Sequence, residues 1–246
     1  MKKLLSLTCA TLLTLPAIST ADVLSFAIGG GMWKEDPSGY FRNVSAGDPT
    51  DVDVKTDLFW QEEDQTYLFA TLEHPVPILP NVRILMTSLD HSGSGTASFT
   101  INGETFSGTV SSEGSFDQTD ITAYWEVLDN VVSLDLGLTA KLLDFSYSVA
   151  SSGTSTSDSL STTIPMVYGL VGVSPIPGLY LGVEGNFIGY DGNDLTDLTA
   201  KISYTTDFFL GFEGGYRSQT YELDDVDGYS GKLEFEGPFL GAYLKF

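Results

Sequence analysis

Val132-Ser-Leu-Asp-Leu-Gly-Leu-Thr-Ala-Lys-Leu142 places an apolar side chain at every second position, with Ser133, Asp135, Gly137, Thr139 and Lys141 between them. A period of two sends the apolar set to one face of an extended strand and the polar set to the other. A helix would bring Asp135 and Lys141 round onto its apolar face, so a strand is predicted. The same alternation recurs in both directions from this run. It is carried by Leu24, Phe26, Ile28 and Met32, by Ile121, Ala123, Trp125 and Val127, by Leu198, Ala200, Ile202 and Tyr204, and by Phe208, Leu210, Phe212 and Tyr216. Segments of roughly ten residues are long enough to cross a bilayer as tilted strands. Beyond residue 21 no eighteen apolar residues run together. A chain that crosses hydrocarbon with strands must close its sheet to satisfy every backbone N–H and C=O. The expected fold is therefore all-β, a transmembrane antiparallel up-and-down β-barrel.

The connections alternate in kind. Short turns are expected at His74–Asn81, Asp129-Asn130, Pro175–Gly178 and Thr205–Asp207, and long polar loops at 34–64, 91–114, 144–163, 191–196 and 224–232. Outer-membrane barrels have short periplasmic turns and longer external loops. Four turns and five loops predict about ten strands, with eight as the alternative, and both ends periplasmic. Residues 151–163 are rich in Ser and Thr and read as a mobile loop. Residues 98–110, turning at Asn102-Gly103, read as a hairpin standing above the membrane.

Residues 1–21 read as a secretory signal peptide: Lys2 and Lys3, an apolar stretch from Leu4 to Leu15, and Ser19-Thr20-Ala21 before the cut. Residues 22–246 would then form the barrel. The single cysteine, Cys9, falls inside the signal, leaving the exported chain without a disulfide. Loss of Lys2 and Lys3 leaves nine basic against 33 acidic residues, a net charge of −24. Such a surface repels nucleic acid. The expected surroundings are outer-membrane lipid of a Gram-negative cell.

The apolar phase also predicts which charges face the interior: Arg83, Asp120, Glu126, Asp135, Lys141, Glu184, Lys201, Glu213, Arg217 and Lys245. Five acids balance five bases, and unpaired charge is costly in a narrow low-dielectric space, so mutual pairing is expected. A ten-stranded barrel is nearly filled by its own side chains. Trp33, Tyr67, Trp125, Tyr180, Tyr190, Tyr204, Tyr216 and Phe246 fall near strand ends and suit interfacial girdles.

Chemistry-bearing motifs are sparse. His91 stands between Asp90 and Ser92 near the outer rim, with the residue types of a hydrolase. Three consecutive residues cannot converge as a triad, so a second carboxylate would have to come from elsewhere. Asp225, Asp227, Gly228 and Glu234 match part of a calcium-loop spacing, but Leu223 stands where an acid belongs. Asp224, Asp225 and Asp227 are the candidate metal ligands, for Ca²⁺ or Mg²⁺ in an external loop; otherwise no cofactor is expected. Asp48, Asp51, Asp53 and Asp57 form a second acidic loop of this kind.

Several segments taken together carry a family resemblance: Glu73-His-Pro-Val-Pro-Ile-Leu-Pro-Asn-Val-Arg83, Leu134-Asp-Leu-Gly-Leu-Thr-Ala140, Gly178-Leu-Tyr-Leu-Gly-Val-Glu-Gly-Asn186, Gly215-Tyr-Arg217 and Glu222-Leu-Asp-Asp-Val-Asp227. Over nearly the whole exported chain it resembles a family of small proteobacterial outer-membrane β-barrel proteins, defined by sequence and found alongside the GlyGly-CTERM surface-protein sorting system. The resemblance implies a barrel without established catalytic residues. The final segment resembles the assembly signal of outer-membrane proteins, with Gly241, Leu244 and Phe246 in place and Phe239 where a polar residue is usual. It implies periplasmic chaperones and the barrel-assembly machinery as partners. The expected role is a non-enzymatic barrel with a charge-paired lumen and acidic loops, structural or for surface interaction. The alternatives are a narrow polar channel and a rim-located hydrolase.

Overall fold

The computed structural model describes residues 24–76, 78–226 and 228–246. The proposed signal peptide, Pro77 and Asp227 lie outside the described residues. The strands are β1 (Ser25–Asn43), β2 (Val52–Asp53), β3 (Glu63–Glu73), β4 (Asn81–Ile101), β5 (Glu104–Asp129), β6 (Val132–Ser151), β7 (Thr154–Ile176), β8 (Leu179–Tyr190), β9 (Asn193–Thr205), β10 (Leu210–Val226) and β11 (Tyr229–Lys245). Apart from β2, each pairs antiparallel with its neighbours in sequence, and β11 pairs with β1, so ten strands close into an up-and-down ring. The seam runs from Ala27 opposite Lys245 to Asn43 opposite Tyr229. Beyond it, the N–H groups of Phe26 and Phe246 each donate to the other's carbonyl.

Alternation sets a belt of apolar side chains around the outside. Phe26, Ile28 and Met32 on β1 are exposed, as are Ile84 and Met86 on β4, Leu136, Leu138 and Leu142 on β6, and Ile202 and Tyr204 on β9. An exposed ring of this kind has hydrocarbon as its natural solvent. The short turns lie at one end, at the expected positions.

The other end departs from expectation. The segments 91–114 and 144–163 are continuous hairpin arms rather than loops. β4 and β5 pair without a break from Asn81 opposite Tyr124 to Ile101 opposite Glu104. The Ser/Thr-rich run pairs from Ser151 opposite Thr154 downward. Above the belt the outward positions become Ser92, Ser94, Ser157 and Ser159, so the apolar period vanishes from the sequence while the backbone ladder continues. Asn102-Gly103 makes the expected turn, with φ of 53° and 74° that suit a two-residue hairpin. The segments 191–196 and 224–232 also shrink to tight turns between paired strands.

β3 is short, and its pairing with β4 reaches only to Thr66 opposite Ser88. The gap above it is covered by the segment between β1 and β3. There β2 pairs with Tyr40 and Phe41, and Val52, Val54, Leu58 and Trp60 are buried. The acidic stretch expected to be a solvated loop is therefore folded inward as a stopper.

Candidate functional site

Two ionic layers cross the lumen. In the lower one, Arg83 meets Glu184 at 2.7 Å. Lys201 reaches the other carboxylate oxygen of Glu184 at 3.2 Å, and the Tyr168 hydroxyl donates to it at 3.4 Å. Glu213 accepts from Tyr67 Oη at 2.7 Å. In the upper layer Asp197 is the hub. Arg217 grips it with Nε at 3.0 Å and Nη2 at 2.7 Å, a two-point fork suited to a carboxylate. Lys141 Nζ lies 3.2 Å from Asp197 and 2.9 Å from Asp120. Gln219 donates to Asp197 at 2.8 Å, and Gln118 accepts from Lys141 at 3.0 Å. The face of Trp33 lies 5.0 Å beneath the Arg217 guanidinium, a cation–π contact. Between the layers lies a small cavity of about 30 Å³, lined by Trp33, Arg83, Glu184 and Arg217.

Of the interior charges expected from alternation, Arg83, Glu184 and Lys201 meet in the lower layer, and Asp120, Lys141 and Arg217 in the upper one. Lys245 lies near the short-turn mouth, 3.6 Å from Glu73. Glu126 and Asp135 line a cavity there. Asp197, the hub, escapes the sequence reading because residues 191–196 read as a loop and the strand was started at Leu198. Its parity is opposite to that of the outward-facing Leu198, Ala200 and Ile202, which points it inward.

Trp33 and Tyr67 are not girdle residues. Met32 and Leu68 face outward, so their neighbours face inward: Trp33 is buried and donates to the Gly237 carbonyl at 3.1 Å, and Tyr67 packs edge-on against Phe239. Trp125, Tyr190, Tyr204, Tyr216 and Phe246 do lie exposed.

Above the ionic layers the lumen is aromatic. Phe116 packs against Phe145 at 4.4 Å and Phe235 at 4.9 Å between ring centroids. His91 is stacked between Trp60 and Phe235 at 5.3 and 5.9 Å. Its Nε2 lies 2.7 Å from Glu35 Oε1, with both side chains fully buried. The carboxylate near His91 thus comes from β1, which the sequence reading did not single out. Asp90 and Ser92 point to the opposite face of β4, so the three consecutive residues do not form a catalytic group. Burial pushes the Glu35 carboxyl above the ordinary carboxylate range. Glu35 stands beyond the belt: past Met32 the outward positions on β1 are Lys34 and Asp36, paired at 2.7 Å with Glu62 and Lys55. Trp60 reaches this site because Gly114 has no side chain, since a Cβ there would lie 2.2 Å from the indole.

In the acidic loop Asp48, Asp53 and Asp57 accept backbone N–H groups and build turns. Asp48 accepts the N–H groups of Asn43, Asn102 and Gly103, tying the stopper to the β4–β5 hairpin tip. Asp53 accepts from the Lys55 and Thr56 N–H groups, and Asp57 from that of Asp53. Asp51 faces Arg42 at 3.6 Å. Asp224 and Asp225 are exposed on β10, and Asp227 lies outside the described residues. Among the described residues no three His, Cys, Asp or Glu side chains are grouped to hold a metal ion.

At the seam Gly241 lies beneath the Tyr67 hydroxyl, where a Cβ would be 2.2 Å from it. Leu244 faces outward. Phe246 stacks on Phe209 with ring centroids 5.9 Å apart.

Closed ring and apolar belt define an outer-membrane-type β-barrel. No protein-family model matches the chain, and none of the curated proteins matches it. Among solved structures, the outer membrane protease OmpT from Escherichia coli is similar with a TM-score of 0.53 and 11% identity, over 92% of this chain and 98% of OmpT. The attachment invasion locus protein Ail of Yersinia pestis follows with a TM-score of 0.40 and 10% identity, over 91% and 99%. The translocator domain of the autotransporter NalP from Neisseria meningitidis has a TM-score of 0.39 and 15% identity, over 93% and 90%. The likeness to OmpT is one of fold alone, and nothing further rests on the other two.

Proposed function

We propose that this protein is a non-enzymatic integral barrel of the Gram-negative outer membrane, with its lumen shut and its acidic hairpin arms turned outward for a structural or surface-interaction role. The observation that carries it is the stack of fillings within one ring: two ionic layers, then an aromatic layer, then the stopper of residues 44–62. A barrel that conducts needs a continuous wet path, and the Lys141–Asp120–Asp197–Arg217 layer crosses the middle of it with Lys141 fully buried. The short-turn end is then periplasmic. Delivery by periplasmic chaperones and insertion by the barrel-assembly machinery belong to the same proposal, with Gly241, Leu244 and Phe246 as the signal. So does export on residues 1–21. The association with the GlyGly-CTERM sorting system rests on the sequence resemblance alone.

A non-enzymatic role is supported by His91, whose buried ring is stacked between Trp60 and Phe235 with its Nε2 turned to Glu35. A catalytic base needs a substrate atom within hydrogen-bond reach. A narrow gated channel is the second reading, favoured by a wall of side chains, rather than backbone, across the lumen. Planar-bilayer recording decides between them: the sealed barrel gives a flat trace, and steady unitary conductance in the unmodified protein would overturn the proposal.

A further inference from the structure

At the short-turn end the lumen widens into a cavity of about 400 Å³, a volume typical of small-molecule sites. Glu73, Glu126, Asp129, Asp135 and Glu213 line it, against Lys201 and Lys245. Lys201 is engaged with Glu184 deeper in the lumen, and Lys245 with Glu73 on the cavity wall. Asp135 is only 8% exposed, and among the described residues it forms no hydrogen bond or ion pair. The buried Tyr180 hydroxyl on the same wall also has no hydrogen-bond partner among the described residues. A buried carboxylate without a hydrogen-bond or ion-pair partner is a costly arrangement, and a cation held in the cavity would offset it.

The surroundings select the kind of cation. A bare divalent ion needs several converging oxygens, and no such group exists among the described residues. An ammonium needs a carboxylate and a few acceptors, and it is also attracted to aromatic faces. Phe69 and Tyr243 supply such rings on the wall; the Tyr180 ring already faces Lys201, with Nζ 6.0 Å from its centroid. We propose that this vestibule binds small organic cations carrying primary ammonium groups on a flexible chain, with Asp135 receiving the ammonium and Tyr180 Oη accepting a second hydrogen bond. The site is independent of whether the lumen above it conducts, because it opens at the short-turn end. A free polyamine and a lysine side chain of a peptide share this chemistry.

Spermidine titrated calorimetrically into the detergent-solubilised barrel is expected to bind saturably at one site. Asp135→Asn should weaken binding at least tenfold, and Tyr180→Phe by a smaller factor. Glu104→Gln, at the exposed β4–β5 hairpin tip of the far end, should leave it unchanged. Equal weakening by Asp135→Asn and Glu104→Gln would mean diffuse attraction to an acidic surface and would overturn the proposal, as would an absence of saturable heat. Should Asp135→Asn fail to fold, Ser133→Cys, placed in the same cavity, reads the site in its place. A cationic thiosulfonate reagent is expected to react with it at least tenfold faster than an anionic one, and spermidine to protect it. Lack of protection overturns the site. Protection by an acetylated Gly-Lys-Gly amide as well as by spermidine would extend the vestibule to peptide lysines, and protection by spermidine alone would confine it to free polyamines.

Discussion

Lys141 shows how much can hang on one side chain. Its ammonium lies within 3.2 Å of Asp120, Asp197 and Gln118, with no exposure to solvent. Removing one partner of such a set strands the others in a low-dielectric space. Lys141→Ala is therefore expected to cost about 3–5 kcal/mol, read as a lower denaturant midpoint when the barrel is unfolded from lipid vesicles. A loss under about 1 kcal/mol would mean that water already reaches this layer. Glu35 makes a different prediction. Its carboxyl is raised, chiefly by burial and further by Asp36, while His91 opposes the shift. The folded state thus holds a proton that the unfolded chain has released. Stability from this group is complete below the ordinary carboxylate range and is lost as pH rises through the raised value. Glu35→Gln should flatten the pH–stability curve in that window, and an unchanged slope would assign the dependence to other groups.

At the scale of the element, the segment 44–62 behaves as a side-chain-anchored plug rather than a loop. Trp60 joins the His91 stack on one face and occupies the space left by Gly114 on another. Trp60→Ala should cost about 3–5 kcal/mol locally and expose residues 44–62 to protease, while the ring strands stay folded. Proteolysis no faster than in the parent would show that Asp48 and β2 suffice to hold the plug. The belt portions of the strands were legible because lipid imposes an apolar residue at every second position. The arms above were not, because Ser92, Ser94, Ser157 and Ser159 satisfy water as well on a strand as in a loop, and backbone pairing leaves no mark on side-chain type. Asp197 and Trp60 were missed for related reasons. A wrong strand boundary concealed the parity of the first, and the acidic surroundings of the second concealed the alternating Val52 and Val54 upstream of it. His91 was noticed, but its carboxylate partner lies 56 residues earlier in the chain, and only the closed ring brings them together.

For the whole molecule, closure depends on how nearly β1 and β11 can approach. Gly31 lies opposite Gly241 at the seam. A Cβ on Gly31 would stand 2.1 Å from the Leu240 carbonyl oxygen and 2.7 Å from Tyr67 Oη. Backbone cannot withdraw from such a contact without parting the ladder, and Tyr67 is held by Glu213 from inside. An open seam would leave two long edges of unpaired N–H and C=O groups facing hydrocarbon, which a membrane-spanning sheet cannot tolerate. Gly31→Val should therefore act on assembly rather than on any one contact. The folded barrel is expected to migrate faster than its heated form on a denaturing gel, and the variant should lose most of that fast-migrating species. Gly47→Val, whose added Cβ would meet nothing within 4 Å but whose φ of 77° strains a surface turn, should retain it. If both variants fold alike, the seam has slack, and closure must be driven by the ionic layers within.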